Sequence, residues 1–132
     1  MKKEEYKRQN EDFMKSVASQ PDVYRLPCGI CYKILEKGRG NDTPTLQSVV
    51  TVHYRGSLID GREFDNSYRS ACPAAFRLNE LIEGWQQTLL QMRVGDKWIL
   101  YIPYTLGYGK RTTGQIPGFS TLIFEVELLG IH

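Results

Sequence analysis

The chain has 132 residues, 41% hydrophobic and 24% charged, which fits one globular domain rather than two domains or a disordered tail. A formal charge of +2 is too small for a nucleic-acid-binding face, where clustered cations are needed. No apolar run nears the roughly 20 residues of a transmembrane helix, so no membrane insertion is expected.

The N-terminus, MKKEEYKRQNEDFM, has lysines but no apolar stretch behind them, so it does not read as an export signal. With three cysteines and no disulfide framework, the expected address is the cytoplasm. Periplasm or cell envelope is the alternative, should an export signal have been removed. Residues 3–18 are mostly polar, rich in Lys, Glu, Arg and Gln, with Tyr6, Phe13 and Val17 on one helical stripe. The spacing predicts a helix that ends before Pro21. Its thin stripe packs either on its own domain or on a second copy of the chain.

A linker is expected through Pro27. Cys28 and Cys31 form a C-x-x-C pair, but the segment reads as a strand over 29–36. Residues three apart in a strand point to opposite faces about 10 Å apart, beyond the roughly 7 Å Cα limit for a disulfide. No second cysteine pair exists and the only histidines, His53 and His132, lie far away in sequence, so no metal site is expected.

Further strands are predicted over 48–58 and 62–66, joined at Asp60-Gly61, a hairpin signal because glycine accepts positive φ. Val50, Val52 and Tyr54 alternate onto the core face, which leaves His53 on the solvent side. A helix is predicted over 79–92, with Asn79 as its cap, Gly95 beyond its end, and Ile82, Trp85, Leu89 and Met92 as its buried stripe. Gly84 inside it suggests close approach of another backbone. Two strands complete the chain: 97–103, burying Trp98, Leu100 and Ile102, and 120–129, burying Leu122, Phe124, Val126 and Leu128. Antiparallel hairpins over one helix give an α+β class, a half-barrel of sheet wrapped round a short helix and preceded by an N-terminal helix.

No phosphate loop, dinucleotide fingerprint, nucleophile elbow, zinc-protease motif or calcium loop is present. GYGK at 107–110 is followed by Arg111, where a phosphate loop needs Ser or Thr. Covalent and metal catalysis are disfavoured, and no cofactor is expected.

The ordered segments VHYRGSLIDGREFDNS, P-x-x-F-x-L, LIEGWQQTLLQMRVGDKWILYIP, LGYG and IP-x-x-STLIFEVELL closely resemble the FKBP-type peptidyl-prolyl cis/trans isomerases over about 29–131. NEDFM followed by LPCGICYKIL looks like the connecting helix of the macrophage-infectivity-potentiator-like branch, whose members are often dimeric and exported. The resemblance implies an FKBP-like antiparallel sheet of about five strands, with residues 1–20 as a helical extension and 21–132 as the isomerase domain. It implies catalytic contributions from Tyr54, Asp65, Ile82 and Tyr108, and a proline site lined by Phe64, Leu81, Trp85, Ile116 and Phe124. Trp85 would be the floor, and the Ile82 N–H and Tyr108 hydroxyl would hold substrate carbonyls. Implied partners are proline-containing polypeptides and macrolide inhibitors. No dimerisation domain precedes the helix, so a monomer or a weak homodimer through that helix is expected.

The sequence departs from the family pattern at Ala74, commonly aromatic, at Gly107, usually alanine, and at Gly118, often a second proline. The loop 110–115 lacks the histidine some members carry. Two rival readings are a non-catalytic proline-binding module on the same groove and a small-molecule-binding barrel of another class.

Overall fold

The computed structural model describes residues 2–132. Helix α1 (Lys3–Ala18) leads into strands β1 (Tyr24–Arg25), β2 (Cys31–Glu36), β3 (Val49–Ser57), β4 (Glu63–Asn66) and β5 (Ala74–Arg77). Helix α2 (Glu83–Leu89) and strands β6 (Lys97–Ile102) and β7 (Leu122–Ile131) follow. The strands form one antiparallel sheet in the order β1-β2-β6-β7-β3-β4, with β5 on the same edge of β3 as β4.

β3 is the organising strand. One edge pairs with β7 over its length, while the other is divided, Val49 to Val52 pairing with β5 and Arg55 to Ser57 with β4. The hairpin at Asp60-Gly61 forms as expected. Leu58 N–H donates to the Arg62 carbonyl at 2.9 Å, and Gly61 takes φ +88°.

The sheet has seven strands rather than about five. β1 lies inside the expected linker, and β5 pairs only four residues. Both are too short for an alternation pattern to show. Cys28 falls in the turn before β2, so Cys28 and Cys31 do not share a strand; Cys28 is exposed and Cys31 buried, and both are free thiols.

Alternation places the two sides of the sheet in different cores. On the concave side Val50, Val52, Leu100, Ile102, Leu122, Val126 and Leu128 meet Trp85, Leu89 and Met92 of the α2 segment. On the convex side Val17, with Phe13, Met14 and Ala18 of α1, packs on Cys31, Ile99, Tyr101 and Ile123. The helix therefore uses its apolar stripe on its own sheet. Two polar ties add direction. Asn10 is fully buried and its Oδ1 accepts from Thr121 N–H at 2.7 Å, while the Tyr6 hydroxyl meets Ser120 Oγ at 2.7 Å.

The internal helix is shorter than its periodicity suggests. Residues 78–80 form a separate 3-10 turn, and α2 starts at Glu83 without a side-chain cap. Asn79 does not cap because Leu81 and Ile82 run extended. The Gln86 amide instead donates back to the Leu81 carbonyl at 2.7 Å. Gly84 is needed for a side chain, not a backbone: a Cβ there would meet Ile102 Cδ1 at 2.7 Å. This glycine lets α2 sit directly on β6.

Candidate active site

Four elements meet at the open mouth of the concave side: β3 with β4, the α2 start, β7, and the loop after β6. Tyr54 is held there by its own backbone. Its N–H donates to Ser67 Oγ at 2.7 Å, and Ser67 Oγ donates to the Tyr54 carbonyl at 3.2 Å. The same hydroxyl lies 3.0 Å from His53 Nδ1, and the His53 ring stacks on Tyr68 at 4.5 Å. His53 is thus half-buried in a local network rather than a free solvent-side residue.

The Trp85 indole is 4% exposed and is met edge-on by three rings. Tyr54 and Phe124 stand 5.2 Å away, each at 88°, and Phe76 stands 6.0 Å away at 86°. Such perpendicular contacts suit the quadrupoles of both rings and fix the indole in one orientation. Phe64 adds a further edge contact to Phe124 at 5.6 Å and 87°. Gly56 makes this possible, because a Cβ there would lie 2.7 Å from both Phe64 and Phe124.

The polar rim is small. The Tyr54 hydroxyl donates a hydrogen bond to Asp65 Oδ2, and Asp65 Oδ1 accepts the Asn66 N–H at 3.0 Å. Burial, the bond to Asp65 and the Asp65 charge together raise the Tyr54 pKa far above a free phenol, so it stays protonated. Partial burial and then the Asp65 charge push Tyr108 the same way. Among the described residues the backbone N–H of Ile82 has no acceptor, as befits the residue before the first turn of a helix.

The resulting groove, about 140 Å³, is lined by Tyr54, Phe64, Asp65, Leu81, Ile82, Trp85, Tyr108 and Phe124, together with Phe76. Eight of the nine residues predicted for the site line one groove. Ile116 does not: it is buried with the core and bonds across a turn to Thr113, N–H to carbonyl in both directions at 2.9 Å. Phe76 had no assigned role. Its signal was present in P-x-x-F-x-L, where Phe76 and Leu78 alternate inward. A larger cavity of about 710 Å³ lies beside the groove and contains none of its residues. The aromatic groove is the one with the converging hydroxyl, carboxylate and free N–H.

Two departures have a local reason. A Cβ at 107 would press on Leu122 Cδ1 at 2.9 Å, and one at 118 would collide with the Lys110 carbonyl.

Residues 40–129 match the family described as FKBP-type peptidyl-prolyl cis-trans isomerase. The chain belongs to that family. Among its relatives, the macrophage infectivity potentiator of Trypanosoma cruzi is 44% identical over 126 residues, 95% of this chain and 64% of the relative. The outer membrane protein MIP of Legionella longbeachae is 37% identical over 131 residues, 98% of this chain and 56% of the relative. The chain thus spans between half and two thirds of the length of these relatives. The crystal structure of a peptidyl-prolyl cis-trans isomerase from Pseudomonas syringae pv. tomato superposes with TM-score 0.91 at 36% identity, covering 99% of this chain and 96% of that one. The fold is therefore shared with that isomerase over nearly the whole chain, α1 included. The relatives lend no support to a cytoplasmic address. Among the described residues no helix is long and apolar enough to cross a membrane.

Proposed function

We propose that this chain is a peptidyl-prolyl cis-trans isomerase that seats a proline ring in the aromatic groove and speeds rotation about the preceding amide. The observation that carries the reading is the convergence on Trp85: three rings stand edge-on to it, and the Tyr54–Asp65 pair closes the rim. Such a site is apolar where a pyrrolidine ring would lie and polar where the flanking carbonyls would lie.

The uncatalysed barrier is about 18–20 kcal/mol because the C–N bond has partial double-bond character. Exchange of X-Pro bonds takes tens to hundreds of seconds. A planar amide is more polar than a twisted one. An apolar pocket therefore penalises the planar ground state relative to the twisted transition state, and only such differential binding accelerates the step. Trp85 would support the ring, with Phe64, Phe124, Tyr54 and Phe76 as walls. The Ile82 N–H and Tyr108 hydroxyl would each donate to a substrate carbonyl. Asp65, held by Tyr54, would sit beside the twisting bond. Rotation breaks resonance and no covalent bond, so neither nucleophile nor cofactor has a role.

Residues 1–20 act as a helical extension bound to an isomerase domain of 21–132. With the apolar stripe of α1 already buried on its own sheet, a monomer is favoured over a homodimer through that helix. The relative named as an outer membrane protein favours the periplasm or cell envelope as the place of work, and proline-containing polypeptides as the clients.

The test follows cis-to-trans exchange of a short X-Pro peptide by NMR, with and without the protein and a macrolide inhibitor. Acceleration that the macrolide blocks is expected. A folded sample that leaves the rate unchanged would overturn the reading in favour of a proline-binding module without catalysis.

A further inference from the structure

The 710 Å³ cavity beside the aromatic groove is walled by three separate elements: the first turn of α1, the β3–β4 turn, and the loop after β6. Its charged side chains are Lys3, Arg62, Lys110 and Arg111 against one carboxylate, Asp60. That carboxylate is engaged by Arg62, whose N–H donates to Asp60 Oδ1 at 2.9 Å and whose Nε lies 3.8 Å from Oδ2. Among the described residues, no carboxylate lies within ion-pair distance of Lys3, Lys110 or Arg111. The cations are also held together. Lys3 Nζ and Lys7 Nζ both sit over the Phe119 ring, at 5.6 and 5.5 Å from its centroid, and Phe119 N–H donates to the Gly109 carbonyl beside Lys110 at 2.9 Å. Three cations without a carboxylate partner, Lys3, Lys110 and Arg111, thus share one concave place.

That place is coupled to the groove by two pieces of backbone. Arg62 lies two residues before Phe64, and Lys110 two residues after Tyr108. Two residues of chain span at most about 7 Å. Arg62 and Lys110 therefore stand within about 7 Å of backbone of two residues that line the groove, a separation that a few residues of an extended client cover.

We propose that this cavity is a subsite for acidic side chains of the client, so that the protein prefers X-Pro bonds flanked by Asp or Glu. The inference rests on the isomerase reading only for its second half, since binding of an acidic segment needs no catalysis. The cations act through the ground state and the transition state alike, so they lower KM and leave kcat unchanged. Clefts of one charge also speed encounter with ligands of the opposite sign.

Two measurements separate the ideas. In the first, the isotope-labelled protein is titrated with a proline-free hexapeptide rich in Glu and with its Gln counterpart. Amide shifts at residues 60–62 and 110–112 with the Glu peptide alone are expected. They should fade between about 0.01 M and 1 M salt, as the screening length falls from roughly 30 Å to 3 Å. Equal shifts with both peptides, or none, would overturn the subsite whatever the catalytic result.

In the second, exchange rates are compared for X-Pro peptides carrying two Glu or two Gln within four residues of the proline. The Glu peptide should show kcat/KM higher by about five- to tenfold, the effect of two or three exposed ion pairs, carried by KM. The double variant K110E/R111E, at two exposed loop positions, should invert the preference while turning over the Gln peptide at the wild-type rate. Equal use of both peptides by the wild type would overturn the selectivity. So would capture by anionic lipid vesicles without preference between the peptides, which would point to a membrane surface as the occupant. Failure to accelerate the Gln peptide would strike the isomerase reading alone, with the titration still deciding the subsite.

Discussion

The hydroxyl of Tyr54, at the buried face of β3, donates its hydrogen bond to the carboxylate of Asp65 on β4. The bond joins a buried phenol to the exposed acid at the groove rim, whose other oxygen accepts the Asn66 N–H. Tyr54→Phe removes it at almost no cost in volume. The expected result is a folded protein with kcat/KM lower by about five- to tenfold, on the order of 1 kcal/mol. Because burial and Asp65 raise the Tyr54 pKa, and burial and Asp65 raise that of Tyr108, both phenols stay neutral to higher pH than usual. The wild-type rate should therefore be flat from pH 6 to 9. A falling limb below pH 9 would contradict the assignment of these two donors.

Trp85 and Trp98 are both buried but in different surroundings. Trp98 stacks on Tyr32 at 4.3 Å, and Trp85 forms the groove floor. Binding of a prolyl peptide or macrolide should change the fluorescence of the wild type and of Trp98→Phe, but not of Trp85→Phe. In the exchange assay Trp85→Phe should lose at least tenfold in kcat/KM, about 1.4 kcal/mol. Trp85→Ala is the weaker probe, since removing a buried indole costs about 3–5 kcal/mol and endangers the fold.

Gly56 shows how closely the groove walls are fitted. Gly56→Ala places a methyl carbon 2.7 Å from both Phe64 and Phe124, so the rings must move. Overpacking of this kind costs about 1–3 kcal/mol. Urea unfolding should show that loss, and the exchange assay a larger fractional loss than stability alone would give. A variant with normal activity would show that the two rings are not needed where they stand.

Asn10 ties α1 to the start of β7. Asn10→Ala leaves the buried Thr121 N–H without its 2.7 Å acceptor, a loss of about 1–3 kcal/mol. The urea midpoint should fall with the m-value unchanged, since only the native state is weakened.

Glu125, at the centre of the sheet, bonds Arg55 Nη2 at 2.7 Å and Lys97 Nζ at 3.2 Å. Burial raises its pKa, but the bonds from Arg55 and Lys97 outweigh burial and hold it below the usual glutamate range. A depressed carboxylate stabilises the fold above its unfolded pKa, and that part is lost as pH falls through the folded value. Glu125→Gln should cost about 1 kcal/mol at pH 7. The gap between the two proteins should close as pH falls below the ordinary carboxylate range. A gap that persists at pH 2 would assign the effect to packing.

Much of this architecture is local information. Period-two alternation in VVTVHYRG, KWILYIP and LIFEVELL forces one face of each strand inward, so Val50, Leu100 and Phe124 were legible as core. The same holds for the stripe of α1 and for the Asp60-Gly61 turn, whose positive φ only glycine takes readily. The site residues were legible through the ordered motifs that carry the family resemblance, not through periodicity, which would have called Trp85 and Tyr54 plain core.

Other features depend on partners far along the chain. β1 and β5 exist because β2 and β3 offer them an edge, and Gly84 is required by Ile102 rather than by a backbone. Asn10 looks like any surface amide until Thr121, 111 residues away, arrives beside it. The basic cavity gathers Lys3, Arg62 and Lys110 from three distant segments, and Ile116 turns inward where the motif had set it at the groove. Such features belong to tertiary packing, because burial and charge density are set by which surfaces meet, and no short window of sequence contains both sides of a contact.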